Sequence, residues 1–340
     1  MHDVDLIREL RRRVGRDFDY KMEGESVVSL SLASDDNIFH GLIRHHTNQE
    51  KQDILLLISR LNHLRLLDLR RCMVLNTPAA LGELVFLKHL DIGSNFLGQV
   101  PSWIGRIQDL EYLNIAVNRL DALPSFLARF TNMRTFLLHK NNIPEFPSEF
   151  SGMKKLDYLN LYFNRMHAVP SFIWNFTSLR TFTFGVSGLK ELSPDIERLQ
   201  NLEFLTLANT KIRTLPESFG MLRNLKASRL HKNQLSELPD TIGQLQKLEQ
   251  LSLYENKLKK LPASFALLQN MDRLNLAQNE FELFPAEIKK LHRLSWLAFF
   301  ENPLLLEDPP MPFSGSFLGI RPFHARTDTQ VQLKRQAEFG

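Results

Sequence analysis

One motif recurs along this chain at a constant spacing of 23 residues. The motif is LxxLxLxxNxL, where x is any residue, and no insertion or deletion interrupts it. Its asparagine position holds, in order, Cys72, Asn95, Asn118, Asn141, Asn164, Ser187, Thr210, Asn233, Asn256, Asn279 and Asn302. We number the corresponding units repeats 1 to 11. A fixed period of this length is the signature of a stacked array, because one unit cannot bury its apolar face alone.

A series of prolines has the same period. Each opens a segment of the pattern PxxΦxxL, where Φ is apolar, and the series is Pro78, Pro101, Pro124, Pro147, Pro170, Pro216, Pro239, Pro262 and Pro285. Position 193 holds serine instead, with Pro194 displaced by one. The alternating leucines predict a short strand with one buried side. We expect the asparagine amide to pair with backbone groups of the turn, and the proline to fix φ where the chain returns.

The two repeated patterns resemble those of a known family. The segment LPDTIGQLQKLEQLSLYENKLKKLPASF (238–265) is similar to the 23-residue LPxxIxxL class of leucine-rich repeats. That class occurs in Ras-suppressor and Scribble-like scaffolds, plant intracellular Ras-group repeat proteins and the repeat domains of bacterial Roco proteins. The resemblance covers about 64–302. It implies an α/β solenoid, a right-handed horseshoe with a parallel concave β-sheet inside and 3₁₀ or short helical turns outside.

The sequence divides into three segments. Residues 1–63 are predicted to form a helical cap with a degenerate first strand, residues 64–302 the eleven repeats, and residues 303–340 a C-terminal cap and polar tail. Caps are expected because an open end of a repeat array exposes apolar side chains. Apolar residues between Leu304 and Ile320 are expected to cover the last repeat.

Two helices are predicted within the N-terminal segment. Residues 3–16 have apolar residues at helical spacing, and Asp3 or Asp5 is the expected N-cap. Residues 26–37 resemble a strand that keeps only part of the motif, and residues 49–61 form the second predicted helix. This order is similar to the start of bacterial Roco repeat domains.

Composition restricts the function. Lys and Arg total 42 against 38 Asp and Glu, and this small surplus disfavours a polybasic surface for nucleic acid. No apolar run approaches the ~18 residues needed for a membrane span, and the charged N-terminus lacks the apolar core of a secretory signal. One cysteine cannot form an internal disulfide. We therefore expect a cytoplasmic protein.

Three features could carry chemistry, and each has a simpler explanation. Cys72 could be a nucleophile, but it occupies the asparagine position of repeat 1, where cysteine is also common in this family. Arg11, Arg12 and Arg13 could contact phosphate, but acidic residues on the same helix favour a solvated face with salt bridges. A metal-binding group is weighed against a solvated loop for His40, His45, His46, Asp35 and Asp36. We favour the loop, and we predict no enzyme, no metal and no cofactor.

Alternate residues of each strand should face the concave side. In the motif these are the second x, the lone x and the two x before the asparagine. We select as partner-binding candidates Tyr112, Asn114, Leu137, His139, Lys140, Tyr158, Asn160, Tyr162, Phe163, Phe204, Arg229, His231, Lys232, Tyr254 and Trp296. Aromatic residues surrounded by cations have the composition of an interface hot spot, although aromatics also favour strands for their own sake.

Two details complete the predicted face. The pairs His139/Lys140 and His231/Lys232 lie four repeats apart, which is ~19 Å at the usual strand spacing, and they should affect encounter rate. Packing should be weakest in repeats 6 to 8. There Ser187 and Thr210 replace asparagine, and Ser228 replaces a core leucine.

The predicted function is that of a non-enzymatic protein-interaction scaffold or adaptor whose partner protein binds the concave face. The alternative is the repeat sensor half of a larger signalling protein, similar to Roco GTPases, repeat-bearing kinases or immune receptors. The opening letters MHDV also match a short motif of plant immune receptors. Nucleic-acid binding is disfavoured by the charge balance, and the oligomeric state is left open.

Overall fold

A computed structural model describes residues 2–33, 41–304 and the backbone of 316–318. One sheet of fourteen strands runs through it in chain order. The strands are β1 (Asp19–Glu23), β2 (Ser26–Ser31), β3 (Leu66–Asp68), β4 (His89–Asp91), β5 (Tyr112–Asn114), β6 (Thr135–Leu137), β7 (Tyr158–Asn160), β8 (Thr181–Gly185), β9 (Phe204–Ala208), β10 (Ala227–Arg229), β11 (Gln250–Ser252), β12 (Arg273–Asn275), β13 (Trp296–Ala298) and β14 (Ser316–Leu318). The two helices are α1 (Asp3–Val14) and α2 (Asn48–Ile58).

Strands β3 to β13 supply one strand for each repeat. All are parallel, and their register places equivalent residues side by side, so that Leu67 pairs with Leu90 and Leu90 with Leu113. These three leucines are fully buried. The architecture is the predicted α/β solenoid with a parallel sheet, and its core consists of the stacked leucine positions.

The return segments contain short 3₁₀ helices. Their bounds are Ala79–Glu83, Ser102–Arg106, Ser125–Arg129, Ser148–Gly152, Ser171–Asn175, Pro194–Arg198, Glu217–Met221, Asp240–Gln244, Ala263–Leu267 and Ala286–Lys290. The periodic prolines stand immediately before nine of them, with φ between −59° and −69°. The serine at position 193, where the series of prolines is interrupted, also has a local role. Ser193 is the N-cap there, its Oγ accepts from the Asp195 amide, and Pro194 takes the first helical position.

The asparagine positions form a buried hydrogen-bonded ladder. The Asn141 amide nitrogen donates to the Leu138 oxygen at 2.9 Å and to the Ile115 oxygen of the preceding repeat at 3.0 Å. Its Oδ1 accepts from the Leu120 amide at 3.1 Å. Equivalent bonds occur at Asn118, Asn164, Asn256 and Asn279. The amide therefore both donates and accepts, as predicted, and it also joins successive repeats.

The N-terminal cap differs from its prediction in two respects. The N-cap of α1 is His2, so neither Asp3 nor Asp5 fills that role. Asp3 instead accepts a hydrogen bond from the Val27 amide at 2.8 Å and fastens α1 to β2. The hairpin partner β1 was not predicted either. α2 begins at a capping box in which the Thr47 and Glu50 side chains each bond the other's backbone amide.

Some predictions lie outside the described residues. Among them are the structural roles of Asp35, Asp36 and His40, and most of the C-terminal cap after Leu304. Strand β14 pairs with β13 in parallel and extends the sheet by one strand.

Candidate protein-binding face

The fifteen candidate residues all lie outside the leucine core. Each is half-buried or exposed, and the most exposed aromatics are Phe163 at 51% and Phe204 at 45%. The leucines that alternate with the candidates along the strands, such as Leu113 and Leu159, are fully buried. The alternation read from the motif therefore places each candidate on the solvent side of the sheet.

Five of the candidates lie on three adjacent strands or in the turn that follows the third of them. Strand pairing aligns Tyr112 with Thr135 and Thr135 with Tyr158, and it places Leu137 between Asn114 and Asn160. Parallel strands lie ~4.8 Å apart, so the outer strands of this trio are about 10 Å apart. Tyr162 and Phe163 follow β7 after one buried residue, Leu161. We call the group the aromatic cluster; it consists of Tyr112, Leu137, Tyr158, Tyr162 and Phe163.

The side chains of two candidates form hydrogen bonds with the backbone. The Asn114 and Asn160 side chains accept hydrogen bonds, both at 3.0 Å, from the amides two residues later, those of Ala116 and Tyr162. Asn275 does the same in repeat 10. These asparagines fix the direction in which the chain leaves its strand. Any contact with a partner would use only what remains of their hydrogen-bonding capacity.

A conformation at the strand exit was missed by the sequence reasoning. The residue just before the asparagine position has a left-handed backbone in every repeat, with φ between 53° and 60°. Lys140, Phe163 and Lys232 are among them. Only asparagine at this position, as at Asn209, carries a recognisable signal of such a conformation. The turn holds these side chains in a fixed direction at the edge of the face.

The histidines of the two basic pairs are neutral. Burial, followed by the charge of Lys140, lowers the pKa of His139. Burial, then Arg229 and Lys232, lowers the pKa of His231 to about 4. Each pair therefore carries one positive charge at neutral pH, on its lysine. The buried Nδ1 of His139 has no hydrogen-bond partner among the residues that the structure describes.

A polar cluster in repeats 1 to 3 was also missed. Arg70 lies 2.7 Å from the Asp68 carboxylate and 3.4 Å from that of Asp91. The Tyr112 hydroxyl donates to Asp91 at 3.4 Å, and the His89 ring stacks on Tyr112 with 3.7 Å between centroids. Burial raises the pKa of Asp91 to about 6 and that of Tyr112 to about 12. The signal was available in the lone-x column, which holds aspartate in both repeats 1 and 2.

Charges at the entrance to the strands neutralise one another. The first x of the motif alternates in sign from repeat 2 to repeat 9, through Lys88, Glu111, Arg134, Asp157, Arg180, Glu203, Lys226 and Glu249. Lys88 lies 3.0 Å from Glu111, and Arg180 lies 3.3 Å from Glu203 and 3.6 Å from Asp157. We call this series the charge ladder. Its basic members face carboxylates, which leaves no continuous basic stripe in this column.

The residues considered for chemistry are held by packing, hydrogen bonds or ion pairs within the fold. Cys72 is fully buried in its repeat position, and burial raises the pKa of its thiol to about 12, so it carries no thiolate. His46 bonds the Arg13 carbonyl at 2.9 Å. Arg12 and Arg13 both bond Glu9, as expected for a salt-bridged helix face. In the described part of the chain, no three His, Cys, Asp or Glu residues are grouped to hold a metal, and no helix could cross a membrane.

Comparisons with known proteins agree with the fold. A profile described as a leucine-rich repeat region matches residues 42–169. No curated protein sequence matches the chain. Among solved structures, a leucine-rich-repeat protein of Leptospira interrogans is 28% identical, with a TM-score of 0.62 over 73% of this chain and 69% of that one.

Two other similar structures are bacterial and plant proteins. The internalin InlF of Listeria monocytogenes is 21% identical, with a TM-score of 0.69 over 88% of this chain and 82% of that one. The ectodomain of the Arabidopsis receptor kinase HAESA, solved with a peptide hormone, is 23% identical, with a TM-score of 0.72 over 89% of this chain and 53% of that one. With the parallel sheet, these matches show a leucine-rich-repeat horseshoe. The narrower LPxxIxxL class stays a prediction.

Proposed function

We infer that the chain is a non-enzymatic scaffold or adaptor in the cytoplasm that binds a partner protein on its concave face. The aromatic cluster is the observation that carries this inference. It places large side chains on the solvent side of three adjacent strands and of the turn after β7, while the core beneath is complete without them. Phe163 is 51% exposed on a turn that holds it in place. Large, ordered aromatics with nearby cations are typical of the few residues that dominate binding energy.

A protein is favoured over nucleic acid as the partner. Nucleic-acid affinity depends on many basic groups that contact phosphates along a stripe. The charge ladder pairs its basic members with carboxylates, and Arg70 is held by Asp68 and Asp91. The peptide hormone bound by the HAESA ectodomain supports a polypeptide ligand for a face of this fold.

The alternative is that these repeats are the sensor half of a larger signalling protein. The similar receptor-kinase structure, of which this chain spans about half, is the observation that favours it. Both functions use the same face. They differ in whether the bound partner changes the activity of a second domain, which is tested by assaying the natural full-length product with and without that partner.

The double variant Tyr162→Ala/Phe163→Ala tests the concave face. Affinity capture from native lysate identifies a partner of the wild-type chain, and titration then measures its affinity for each variant. Truncation of hot-spot residues costs about 2 kcal/mol or more, so we expect the double variant to lose several-fold to a hundred-fold in affinity. The core is untouched, so circular dichroism should show an unchanged fold.

Phe86 provides the matched control. It is 56% exposed, close to the exposure of Phe163, but it precedes the strand of repeat 2 and lies outside the concave columns. Phe86→Ala should bind the partner normally. If Phe86→Ala, or a variant of α1, abolishes capture while the double variant binds as the wild type does, the assignment of the concave face is wrong.

A further inference from the structure

One column of the concave face alternates between aromatic residues and threonine. From repeat 3 to repeat 7, the second x of the motif holds Tyr112, Thr135, Tyr158, Thr181 and Phe204. Strand pairing in β5 to β9 aligns each of these residues with the next. We call the set the aromatic comb. Because its rings stand two strands apart, the ring spacing is ~9.6 Å, twice the ~4.8 Å between strands.

The first ring of the comb is held in place by its neighbours. His89 of β4 stacks on one face of Tyr112, with 3.7 Å between ring centroids and 7° between ring planes. The Tyr112 hydroxyl donates to Asp91, which is 3% exposed. Since His89 belongs to the strand before Tyr112, the other face of the Tyr112 ring is turned toward Thr135 on the strand after it. This ring is therefore a fixed wall.

The two threonines define gaps between the rings. Threonine is far shorter than tyrosine or phenylalanine, so the surface is lower at Thr135 and Thr181 than at the rings on either side. Both threonines are half-buried and keep part of their surface in contact with solvent. The gap centres are also ~9.6 Å apart. A group centred in a gap lies ~4.8 Å from each flanking ring, within reach of van der Waals contact for a saturated ring.

The sheet around the comb is uncharged. Strands β5 to β9 contain no charged side chain, whereas Asp68 and Asp91 lie in β3 and β4, and Arg229 lies in β10. The charges at the entrance to the strands are paired with one another, as Arg180 is with Asp157 at 3.6 Å. A charged segment would lose water here without gaining a countercharge on these strands, which is costly. The comb therefore favours an uncharged segment.

The polar groups of the same strands offer hydrogen-bond donors. The Asn160 Oδ1 already accepts from the Tyr162 amide, so the amide nitrogen of Asn160 is what remains for a partner. The hydroxyls of Thr135, Thr181 and Thr183 are donors as well. A segment rich in proline has carbonyl acceptors but few amide donors, because proline has no backbone N–H. Its hydrogen-bonding groups therefore complement those of the sheet.

We propose that the aromatic comb binds an uncharged, proline-rich segment of the partner protein in the polyproline II conformation, with one proline in each gap. This helix has three residues per turn and rises ~3.1 Å per residue, so every third residue returns to the same side after ~9.3 Å. That advance matches the ~9.6 Å between gaps when the segment runs across the strands. Grooves lined by aromatic residues recognise Pro-x-x-Pro segments in this way. The proposal rests on the proposed function, because it names the partner segment for the same face.

Two uncharged peptides of identical composition test the spacing with the full chain. The first repeats Pro-Gln-Ala four times. The second contains the same residues in an order that places no two prolines three positions apart, and both peptides are acetylated and amidated. The second peptide seats only one proline at a time, so we expect the first to bind about tenfold more tightly in a calorimetric titration.

Variants of the comb test the two gaps. Tyr158→Ala removes the wall that both gaps share, and it should reduce the affinity of the repeating peptide to that of the reordered one. Thr181→Phe fills one gap without removing a wall, and it should weaken binding to a similar extent although it adds apolar surface. Stronger binding by Thr181→Phe would show that apolar area, and not the gaps, holds the peptide.

Two further variants are matched controls. Tyr254 is half-buried like Tyr158 but lies after β11, outside the comb, so Tyr254→Ala controls for the loss of a ring. Ala227 follows Phe204 in the same column, so Ala227→Phe controls for the addition of a ring without filling a gap. Both variants should bind the repeating peptide as the wild type does, and circular dichroism should show an unchanged fold for all four.

The proposal is overturned if the two peptides bind equally or if neither binds at millimolar concentration. It is also overturned if a version with glutamate in place of glutamine binds more tightly, which would assign the surface to an acidic segment near Lys140. Its failure is distinct from failure of the scaffold function. If the captured partner needs Tyr162 and Phe163 but binds the Tyr158→Ala and Thr181→Phe variants normally, the concave face binds protein and the proline-rich segment is wrong.

Discussion

Repeats 6 and 7 differ from their neighbours in how the strand ends. Around them, the asparagine ladder is intact, and strands such as β7 and β10 have three residues. In repeats 6 and 7, where Ser187 and Thr210 occupy the ladder position, β8 and β9 each have five residues. The sheet is therefore two residues longer in these two repeats, whereas β3 of repeat 1, where Cys72 holds the position, keeps three residues.

The longer strands follow from the backbone groups that the ladder would otherwise bond. A hydroxyl offers one donor and an acceptor, whereas the amide donates twice and accepts through a separate atom. Among the described residues, the Ser187 hydroxyl accepts only from the Leu189 amide, at a long 3.4 Å, and Thr210 donates to Asn233 Oδ1. The extra strand pairs, Phe184 with Leu207 and Gly185 with Ala208, align the backbone in this stretch. Backbone pairing between parallel strands therefore replaces the asparagine hydrogen bonds in this stretch.

The largest effect should come from breaking the intact ladder. Asn141→Ala leaves the Leu120 amide without its buried acceptor. It also removes one of the bonds to the Ile115 and Leu138 carbonyls, which keep bonds from Asn118 and Asn164. The unsatisfied amide costs about 1–3 kcal/mol and each lost bond about 1 kcal/mol, so we expect the free energy of unfolding to fall by about 3 kcal/mol. Thr210→Ala should cost about 1 kcal/mol. Urea unfolding of both variants measures the difference, and equal losses would show that the ladder does not distinguish these regions.

Filling the core at Ser228 should produce the next largest effect, a gain. This serine is 1% exposed, pairs in register with Leu205 and Leu251, and its Oγ has no hydrogen-bond partner among the described residues. A buried unpaired hydroxyl costs about 1–3 kcal/mol, and added apolar area is favourable. We expect Ser228→Leu to raise the melting temperature of the chain. Ser228→Ala removes the hydroxyl without adding volume, so a gain from alanine and a loss from leucine would show that repeat 8 cannot hold the larger side chain.

The smallest expected effect concerns the left-handed turn. Val186 in repeat 6 and Val117 in repeat 3 both have a φ of 53°, which is unfavourable for a β-branched residue. Replacing either by asparagine, which tolerates this conformation, should stabilise the fold by about 1 kcal/mol. Thermal unfolding of the two variants sharpens the comparison. Equal gains locate the strain in the turn itself, and a gain confined to Val186→Asn locates it in the absence of the ladder.

The repeat spacing made most of the fold predictable. The motif positions strands, core leucines and solvent-facing columns locally, since side chains alternate along a strand. It therefore placed Tyr158 and Phe163 on the solvent side correctly. What it missed depends on neighbours. The bonds of Arg70 with Asp68 and Asp91 join adjacent repeats, and Asp3 bonds a strand 24 residues later. The sequence still indicated part of this, because aspartate occupies the same motif position in repeats 1 and 2.

The candidate site was predictable as a surface and less so in its chemistry. Its residues are where the motif placed them, but the neutral state of His139 and His231 depends on burial that no spacing reveals. The backbone role of Asn114 was also hidden, because any solvent-facing asparagine looks available for binding.

The alternating charge ladder distinguishes odd from even changes of repeat number within repeats 2 to 9. Removing or inserting one repeat would set like charges side by side at the junction, as Arg134 beside Arg180 would be without Asp157. Removing or inserting two or four repeats within the ladder keeps each of its cations next to a carboxylate. A gene encoding this protein can therefore gain or lose repeats in even numbers without electrostatic conflict, and engineered versions should be lengthened in the same steps.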